Sequence, residues 1–198
     1  MYNNKEQIKS IVIKMKKRLK NILLFIRRLI RAFNSMIWCV FHNVKYHKGL
    51  YIERNVRIWG RPKLELSEYC RVGENTIFWG NGPIKIGNHS SIGQNSWIFS
   101  SKNGGVTIGN YVNSASALYI MDSDHQTKLG SLMMDQHSLI SKPISIGDDV
   151  WLAYNVTILK GVTIGSGAVV GACSVVTKSV DNNAIVVGNP AKFLKYRS

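Results

Sequence analysis

The chain has 198 residues, 45% of them hydrophobic, which suits one domain with a sizeable core and argues against a disordered protein. The formal net charge is +15, but residues 1–50 carry twelve Lys and Arg against the single acid Glu6, so the excess basicity belongs to an N-terminal segment. Three widely spaced cysteines argue against a disulfide framework or a cysteine-based zinc site. We therefore expect a reducing, cytoplasmic compartment.

Residues 1–45 are predicted to form a basic amphipathic helical extension. Apolar side chains recur every three or four positions in a single stripe: Ile8, Ile11, Val12, Met15, Leu19, Ile22, Leu23, Ile26, Leu29, Ile30 and Phe33. Most Lys and Arg lie off this stripe. Such a helix either makes a peripheral contact through residues 8–41 with the inner face of an anionic membrane, or packs its stripe against the next domain or a partner subunit.

Other functions of this basic segment are not expected. Arg27 and Arg28 interrupt its apolar run, so neither a secretory signal nor a bilayer-spanning helix is predicted. The charge is confined to one helix without a recognised nucleic-acid-binding motif, which argues against a nucleic-acid partner.

Residues 46–187 show a period of six. Aliphatic side chains stand at constant intervals at Ile146, Leu152, Ile158, Ile164, Val170 and Val176. Neither a helix nor a flat strand needs this period, whereas a parallel β-solenoid closes each turn from three six-residue sides. A small residue often follows, as at Gly147 and Gly165, where we expect a sharp corner with little side-chain bulk. Residues 188–198 remain as a short C-terminal tail.

The repeat is interrupted twice. The spacing between Ile98 and Ile108 exceeds a multiple of six, and so does the spacing between Ile120 and Ile146. The chain must leave the coil in both intervals. The longer one, residues 121–143, is polar and irregular, and we predict a loop extending from the solenoid; long loops in compact domains often carry function.

Three C-terminal segments resemble a known family: IGDDVWLAYNVTILKGVTIG from Ile146, VVGACSVVTKSV from Val169 and VVGNPAKFLK from Val186. They are similar to the hexapeptide-repeat acyltransferases, most of all the sugar and polysaccharide O-acetyltransferases. The resemblance covers roughly residues 50–198 and implies an all-β solenoid in the form of a left-handed parallel β-helix. It also implies a homotrimer, acetyl-CoA bound in the groove between subunits, and no metal.

In relatives, the looped-out segment carries a histidine that acts as general base, and His125 matches it. An imidazole titrating near pH ~6.5 suits proton removal from a sugar hydroxyl as the hydroxyl attacks a thioester. Asp122 or Asp124 is the candidate that orients the His125 ring, with a backbone carbonyl as the alternative.

The resemblance also implies acetyl-CoA contacts at Trp151, Tyr154, Ala172, Thr177, Lys178, Lys192 and Lys195. Tyr154 departs from the family, where Gly, Ser or Ala is common. The alternatives are a Trp151 packed at the subunit seam and lysines that are only solvated. Trp97, in an aromatic cluster, and His137, in the loop, are candidate contacts for a sugar acceptor; burial of the cluster against the helix competes with this role.

The predicted function is acetyl-CoA-dependent O-acetylation of a sugar hydroxyl in a surface polysaccharide or its precursor. N-acetylation of an amino group on a nucleotide-linked sugar is the alternative. A non-catalytic or zinc-binding solenoid is a third possibility. The zinc-binding proteins of this kind carry a pair of histidines spaced five apart within a coil, and the coils predicted over residues 46–187 contain no such pair.

Overall fold

The computed structural model describes residues 2–137 and 139–198, with side chains described from residue 13 onward. One long helix, α1 (Tyr2–Phe41), is followed by a parallel β-solenoid of about seven turns. Each turn contributes strands to three sheets, which form the faces A, B and C of the solenoid. The predicted all-β solenoid with an N-terminal helical extension is confirmed.

The strands follow one another around the three faces. Face A holds β1 (Tyr51–Ile52), β4 (Arg71–Val72), β7 (Ser91–Ile92), β10 (Asn113–Ser114), β15 (Trp151–Leu152), β18 (Val169–Val170), β20 (Ala184–Val187) and β21 (Lys192–Tyr196). Face B holds β2 (Arg57–Gly60), β5 (Ile77–Gly80), β8 (Trp97–Ser100), β11 (Tyr119–Met121), β16 (Thr157–Leu159) and β19 (Val175–Val176). Face C holds β3 (Lys63–Leu66), β6 (Pro83–Ile86), β9 (Val106–Ile108), β14 (Ile144–Ile146) and β17 (Thr163–Ile164).

The six-residue period places its aliphatic side chains inside the solenoid. The six residues of the main repeat, from Ile146 to Val176, are at most 1% exposed. The second inward position, two residues earlier in each unit, is equally buried from Ile144 to Ser174. At the narrow C-terminal end, the Ser174 hydroxyl accepts a hydrogen bond from the Gly188 N–H at 2.9 Å, which satisfies a polar group in the core.

At the corners of the solenoid, the sharp turn of the backbone and the need for little side-chain bulk fall on different residues, whereas the sequence pattern predicted both at the small residue after the aliphatic one. The left-handed backbone conformation falls on Asp149 and Asn155, with φ of 54° and 56°, rather than on the small residue after the aliphatic one. Gly147 is required for close approach instead, because a Cβ there would lie 2.7 Å from the backbone nitrogen of Ser166 on the next coil. The prediction that this position tolerates little side-chain bulk is therefore correct, but the sharp turn is made at Asp149 and Asn155.

Among the described side chains of α1, those of its last turns contact the solenoid. The Ser35 hydroxyl accepts a hydrogen bond from the Ile52 N–H at 2.9 Å, and the Trp38 indole donates to the Val56 carbonyl at 2.9 Å. Cys39 is buried beside them. These residues lie on the helix face opposite the apolar stripe, so the interpretation that the stripe packs against its own solenoid is wrong. The stripe side chains of Ile8, Ile11 and Val12 lie outside the described residues.

Within the described residues, no helix contains an apolar stretch long enough to cross a bilayer. At the other end, the predicted tail forms an ordered strand: β21 pairs antiparallel with β20, with Lys192 opposite Val187 and Lys195 opposite Ile185. The chain therefore ends as an added strand on face A.

Candidate functional site

The long excursion from the coil forms a β-hairpin at the corner between faces B and C. It leaves after Met121, and β12 (Ser123–His125) pairs antiparallel with β13 (Leu139–Ser141). The Ser101 hydroxyl donates to that of Ser141 at 2.7 Å and fixes the base of the hairpin to the coil. At the tip, which includes a 3-10 turn (Met133–Asp135), the Gln136 side chain bonds both the N–H and the carbonyl of Lys128, at 2.9 and 3.0 Å.

His125 lies at the end of β12 with an exposed side chain. Its neighbour Asp124 forms an ion pair with Lys160, which extends from the same corner of the next coil. Because adjacent strand residues point to opposite faces, the imidazole lies on the face of the hairpin away from this pair. Among the described residues, none hydrogen-bonds the His125 ring. Asp124 is thus directed to Lys160 rather than to His125.

Asp122 occupies a buried position one residue after β11. Its carboxylate accepts hydrogen bonds from the backbone N–H groups of Ser101, at 2.9 Å, and Gly105, at 2.7 Å, and from the Ser100 hydroxyl at 3.2 Å. These bonds close the shorter excursion of the chain, residues 101–105. The prediction that Asp122 orients His125 is corrected, because both oxygens are engaged in holding this turn.

A second group of candidate residues lies at the corner between faces A and B. Tyr154 and Ala172 occupy equivalent positions on successive coils, since the Cys173 N–H donates to the Tyr154 carbonyl at 2.8 Å. The N–H groups of Tyr154 and Ala172 themselves donate to no described residue. Trp151 precedes them on the outer side of face A, with half of its side chain exposed. This corner can offer two backbone donors beside an aromatic surface.

The remaining candidates for contact with acetyl-CoA are divided between two places. Thr177 and Lys178 are exposed after β19, at the same B–C corner as the hairpin. Lys192 and Lys195 lie on β21 at the C-terminal end of face A. All four side chains are exposed and can meet phosphate groups.

One chain does not bring the candidate residues together. His125 belongs to the B–C corner, whereas Trp151, Tyr154 and Ala172 belong to face A and the A–B corner, on the other side of face B. A site that uses both groups needs a second copy of the chain. The period of six could place each residue on a coil, but it contained no information on which corner of the solenoid each residue occupies.

Trp97 forms part of an aromatic cluster on the outer surface of face B. Its ring lies 5.6 Å from Trp59 in an edge-to-face contact, and Trp79 contacts Phe99 at 5.1 Å. Trp59, Trp79 and Trp97 are each about two-fifths exposed, so the helix does not bury this cluster. His137 lies exposed between the 3-10 turn and β13, two residues before the partner of His125 in the hairpin.

Sequence reasoning missed Lys160, Ser101 and Gln136. Lys160 is 36 residues from Asp124, and Ser101 is 40 residues from Ser141; neither pair carries a local signal. Among the described side chains, those of residues 13–137 and 139–198, no three from His, Cys, Asp or Glu are grouped as metal ligands.

Comparison with known proteins supports the family that the three C-terminal segments resemble. The family model for bacterial transferase hexapeptide (six repeats) matches residues 143–178. WbbJ of Escherichia coli K12, a protein named as a lipopolysaccharide biosynthesis O-acetyl transferase, is 39% identical over 51% of this chain and 55% of its own length. The chain spans about a third to a half of the curated relatives that it matches: 31% of a probable acetyltransferase of Mycobacterium tuberculosis and 55% of WbbJ.

Two solved structures show the same fold. A hexapeptide-repeat acetyltransferase of Vibrio cholerae, complexed with acetyl coenzyme A, is 32% identical with a TM-score of 0.54, covering 65% of this chain and 71% of that one. The N-acyltransferase AntD of Bacillus cereus is 22% identical with a TM-score of 0.70, covering 78% and 83%, and shows the fold alone. From its repeat, its solenoid and these relatives, the chain belongs to the hexapeptide-repeat acyltransferases.

Proposed function

We propose that the protein is an acetyl-CoA-dependent O-acetyltransferase that modifies a sugar hydroxyl of a surface polysaccharide or its precursor, with His125 as general base. The observation that carries the proposal is the position of His125: an exposed imidazole on an anchored hairpin, without a hydrogen-bond partner among the described residues. Such a ring is free to accept a proton from a bound substrate. The name of the Escherichia coli relative supports an O-linked product.

The reaction needs one base and one set of oxyanion donors. His125 removes the hydroxyl proton while the sugar oxygen forms a bond to the thioester carbonyl carbon. The tetrahedral intermediate then collapses, the carbon–sulfur bond breaks, and the CoA thiolate takes the proton back from the imidazolium. Backbone N–H groups that are already oriented stabilise the oxyanion without reorganisation. Ala172 and Tyr154 are the candidate donors.

The residues available fit acetyl-CoA as the donor substrate. Trp151 offers an exposed aromatic surface beside the free N–H groups of Tyr154 and Ala172. Thr177, Lys178, Lys192 and Lys195 provide a hydroxyl and three cations for the phosphates. The Tyr154 side chain takes up more of the space at the A–B corner than a Gly or Ala would. We therefore assign its contact with acetyl-CoA to the backbone N–H rather than to the side chain.

A homotrimer completes the proposed site. Because His125 and the A–B corner lie on different sides of one solenoid, His125 of one copy would act on acetyl-CoA held by the neighbour's Trp151, Tyr154 and Ala172. Trp97 and His137 are the proposed acceptor contacts, with Trp97 stacking on a sugar ring. The proposal also includes a cytoplasmic position on the inner face of the membrane, close to lipid-linked precursors.

The test is a free-thiol assay of CoA release by the purified full chain, with sugars, lipid-linked glycans and amino-bearing nucleotide sugars as separate acceptors. We expect hydroxyl acceptors to be used and the product to lose its acetyl group to hydroxylamine, as an ester does. An amide product formed only on amino sugars would instead establish the N-acetyl alternative. No CoA release with any acceptor class would contradict the proposal.

His125→Ala should lower acetyl transfer by about a hundredfold or more and leave acetyl-CoA affinity nearly unchanged, because a general base acts on the chemical step. Thr127→Ala is the matched control, since Thr127 is exposed on the same loop two residues away. Equal rates for the two variants would remove His125 from the mechanism.

A further inference from the structure

The apolar stripe of α1 faces away from the rest of the molecule. Each large apolar side chain of the stripe between Met15 and Phe41 is at least 37% exposed. This includes Phe33, Ile37 and Val40, which lie in the very turns that dock on the solenoid. The docking contacts are made by Ser35, Trp38 and Cys39, which alternate with them on the opposite face of the helix.

The other face of the same helix is strongly basic. Residues 13–41 contain eight Lys and Arg and no acid. At about 100° per residue, the stripe covers roughly 120° of the circumference, and most of the cations lie at its edges or opposite its centre. Arg31 stacks on Tyr51 of the first coil at 5.1 Å, which places the basic face toward the solenoid.

We infer that the stripe is a docking surface for an anionic lipid bilayer, into which its apolar side chains insert while the solenoid stays on the aqueous side. A broad exposed apolar surface flanked by cations is complementary to the boundary between acyl chains and anionic headgroups. Cations on the far side still lie within about one Debye length, ~8 to 10 Å, of the membrane surface.

Charge also decides between lipid and a second copy of the helix. Packing stripes of several copies together would bring the cations at the edges of the stripe, such as Lys16, Arg18 and Arg27, close to those of the neighbouring helix, without an acid on residues 13–41 to pair with them. The stripe is also wider than the narrow seam of a coiled coil. An anionic bilayer accommodates both the width and the charge. This inference concerns binding and does not depend on the acetyl-transfer reaction.

Two leucines provide a matched test. Leu19 lies within the stripe, and Leu24 lies on the basic face, while both are exposed and precede the turns that dock on the solenoid. Leu19→Glu and Leu24→Glu each add one negative charge, which should weaken binding to an anionic surface by about fivefold in both variants. Only Leu19→Glu also removes a leucine side chain that would insert into the bilayer, and this loss should weaken binding by a further tenfold or more.

The experiment is sedimentation of the full chain with vesicles of phosphatidylcholine alone, or of roughly three parts phosphatidylcholine to one part phosphatidylglycerol. We expect binding to the anionic vesicles only, weakening with added salt, and a much larger loss for Leu19→Glu than for Leu24→Glu. Circular dichroism of both variants checks that they are folded.

Absence of binding to the anionic vesicles, or equal losses for the two variants, would overturn the inference. Sedimentation velocity of the lipid-free protein gives the other decisive result. If Leu19→Glu changes the oligomeric state and Leu24→Glu does not, the stripe is an interface between copies of the chain, and the lipid assignment is wrong.

Discussion

Replacing Asp122 by alanine should unfold the protein at a clearly lower temperature rather than act directly on catalysis. The substitution removes the acceptor for the buried N–H groups of Ser101 and Gly105 and for the Ser100 hydroxyl. Hydrogen bonds to charged groups contribute about 1.5–3 kcal/mol each, and they are not additive, so a total loss of about 4 kcal/mol is reasonable. For a chain of this size, that corresponds to a fall in Tm of roughly 8–16 °C.

The Tm of Asp122→Asn should fall between those of the native protein and of Asp122→Ala. The amide keeps one oxygen acceptor, but its NH₂ group then faces a backbone N–H that needs an acceptor, so we expect a loss of about 2 kcal/mol in the free energy of unfolding. Thermal melting at matched protein concentration measures both variants. Acetyl transfer is then measured well below both transitions, over a range of pH.

The two possible roles of Asp122 give different results in this assay. If the carboxylate holds the 101–105 turn, the folded Asn variant retains an unchanged pH profile. If it orients His125 instead, the Asn variant would melt like the native protein while its pH profile shifts and its rate falls. That second pattern would refute the structural argument.

Two adjacent glycines offer an independent perturbation of the same turn. A Cβ on Gly104 would collide with the Asp122 carboxylate, whereas a Cβ on Gly105 would find its nearest neighbour at 3.4 Å, on Pro83. Gly104→Ala should therefore lower Tm more than Gly105→Ala does. Equal shifts would indicate that the carboxylate can move away freely.

Three further predictions concern other parts of the chain. Ser35→Ala leaves the Ile52 N–H without its acceptor and should cost about 1–3 kcal/mol of helix docking, measured as faster proteolysis between helix and solenoid; an unchanged cleavage rate would contradict it. Asp124→Asn breaks a partly exposed ion pair with Lys160 and should change stability by less than about 1 kcal/mol, as measured by urea unfolding. A thiol reagent near neutral pH should label the exposed Cys173 rapidly, and Cys39 and Cys70 only after unfolding, because burial raises the pKa of the Cys70 thiol and raises the pKa of the Cys39 thiol to about 11; rapid labelling of all three thiols in the native protein would contradict the burial. Since the folded Cys39 keeps its proton to a higher pH than the unfolded one, the free energy of unfolding should fall as pH rises toward 11.

The helix and the solenoid core were predictable because both depend on local periodicity. A spacing of six sends Ile146, Leu152 and Ile158 to the interior of successive sides wherever the coil is wound. The two departures from that spacing, near residues 101–105 and 122–143, correspond to the places where the chain leaves the coil. A stripe at three and four residues likewise defines one face of α1.

The tertiary structure decided what these faces and excursions contact. Asp122 and His125 are three residues apart in sequence, yet the carboxylate bonds the turn that left the previous coil, because stacking of coils brings residues about 20 positions apart into contact. In the same way, Lys160 of the next coil forms an ion pair with Asp124. The solenoid packs against the side of α1 that carries Ser35, and the apolar stripe stays exposed. Periodicity determines which side of an element is apolar; only the packing of the coils, which carries no local signal, determines which partner each side meets.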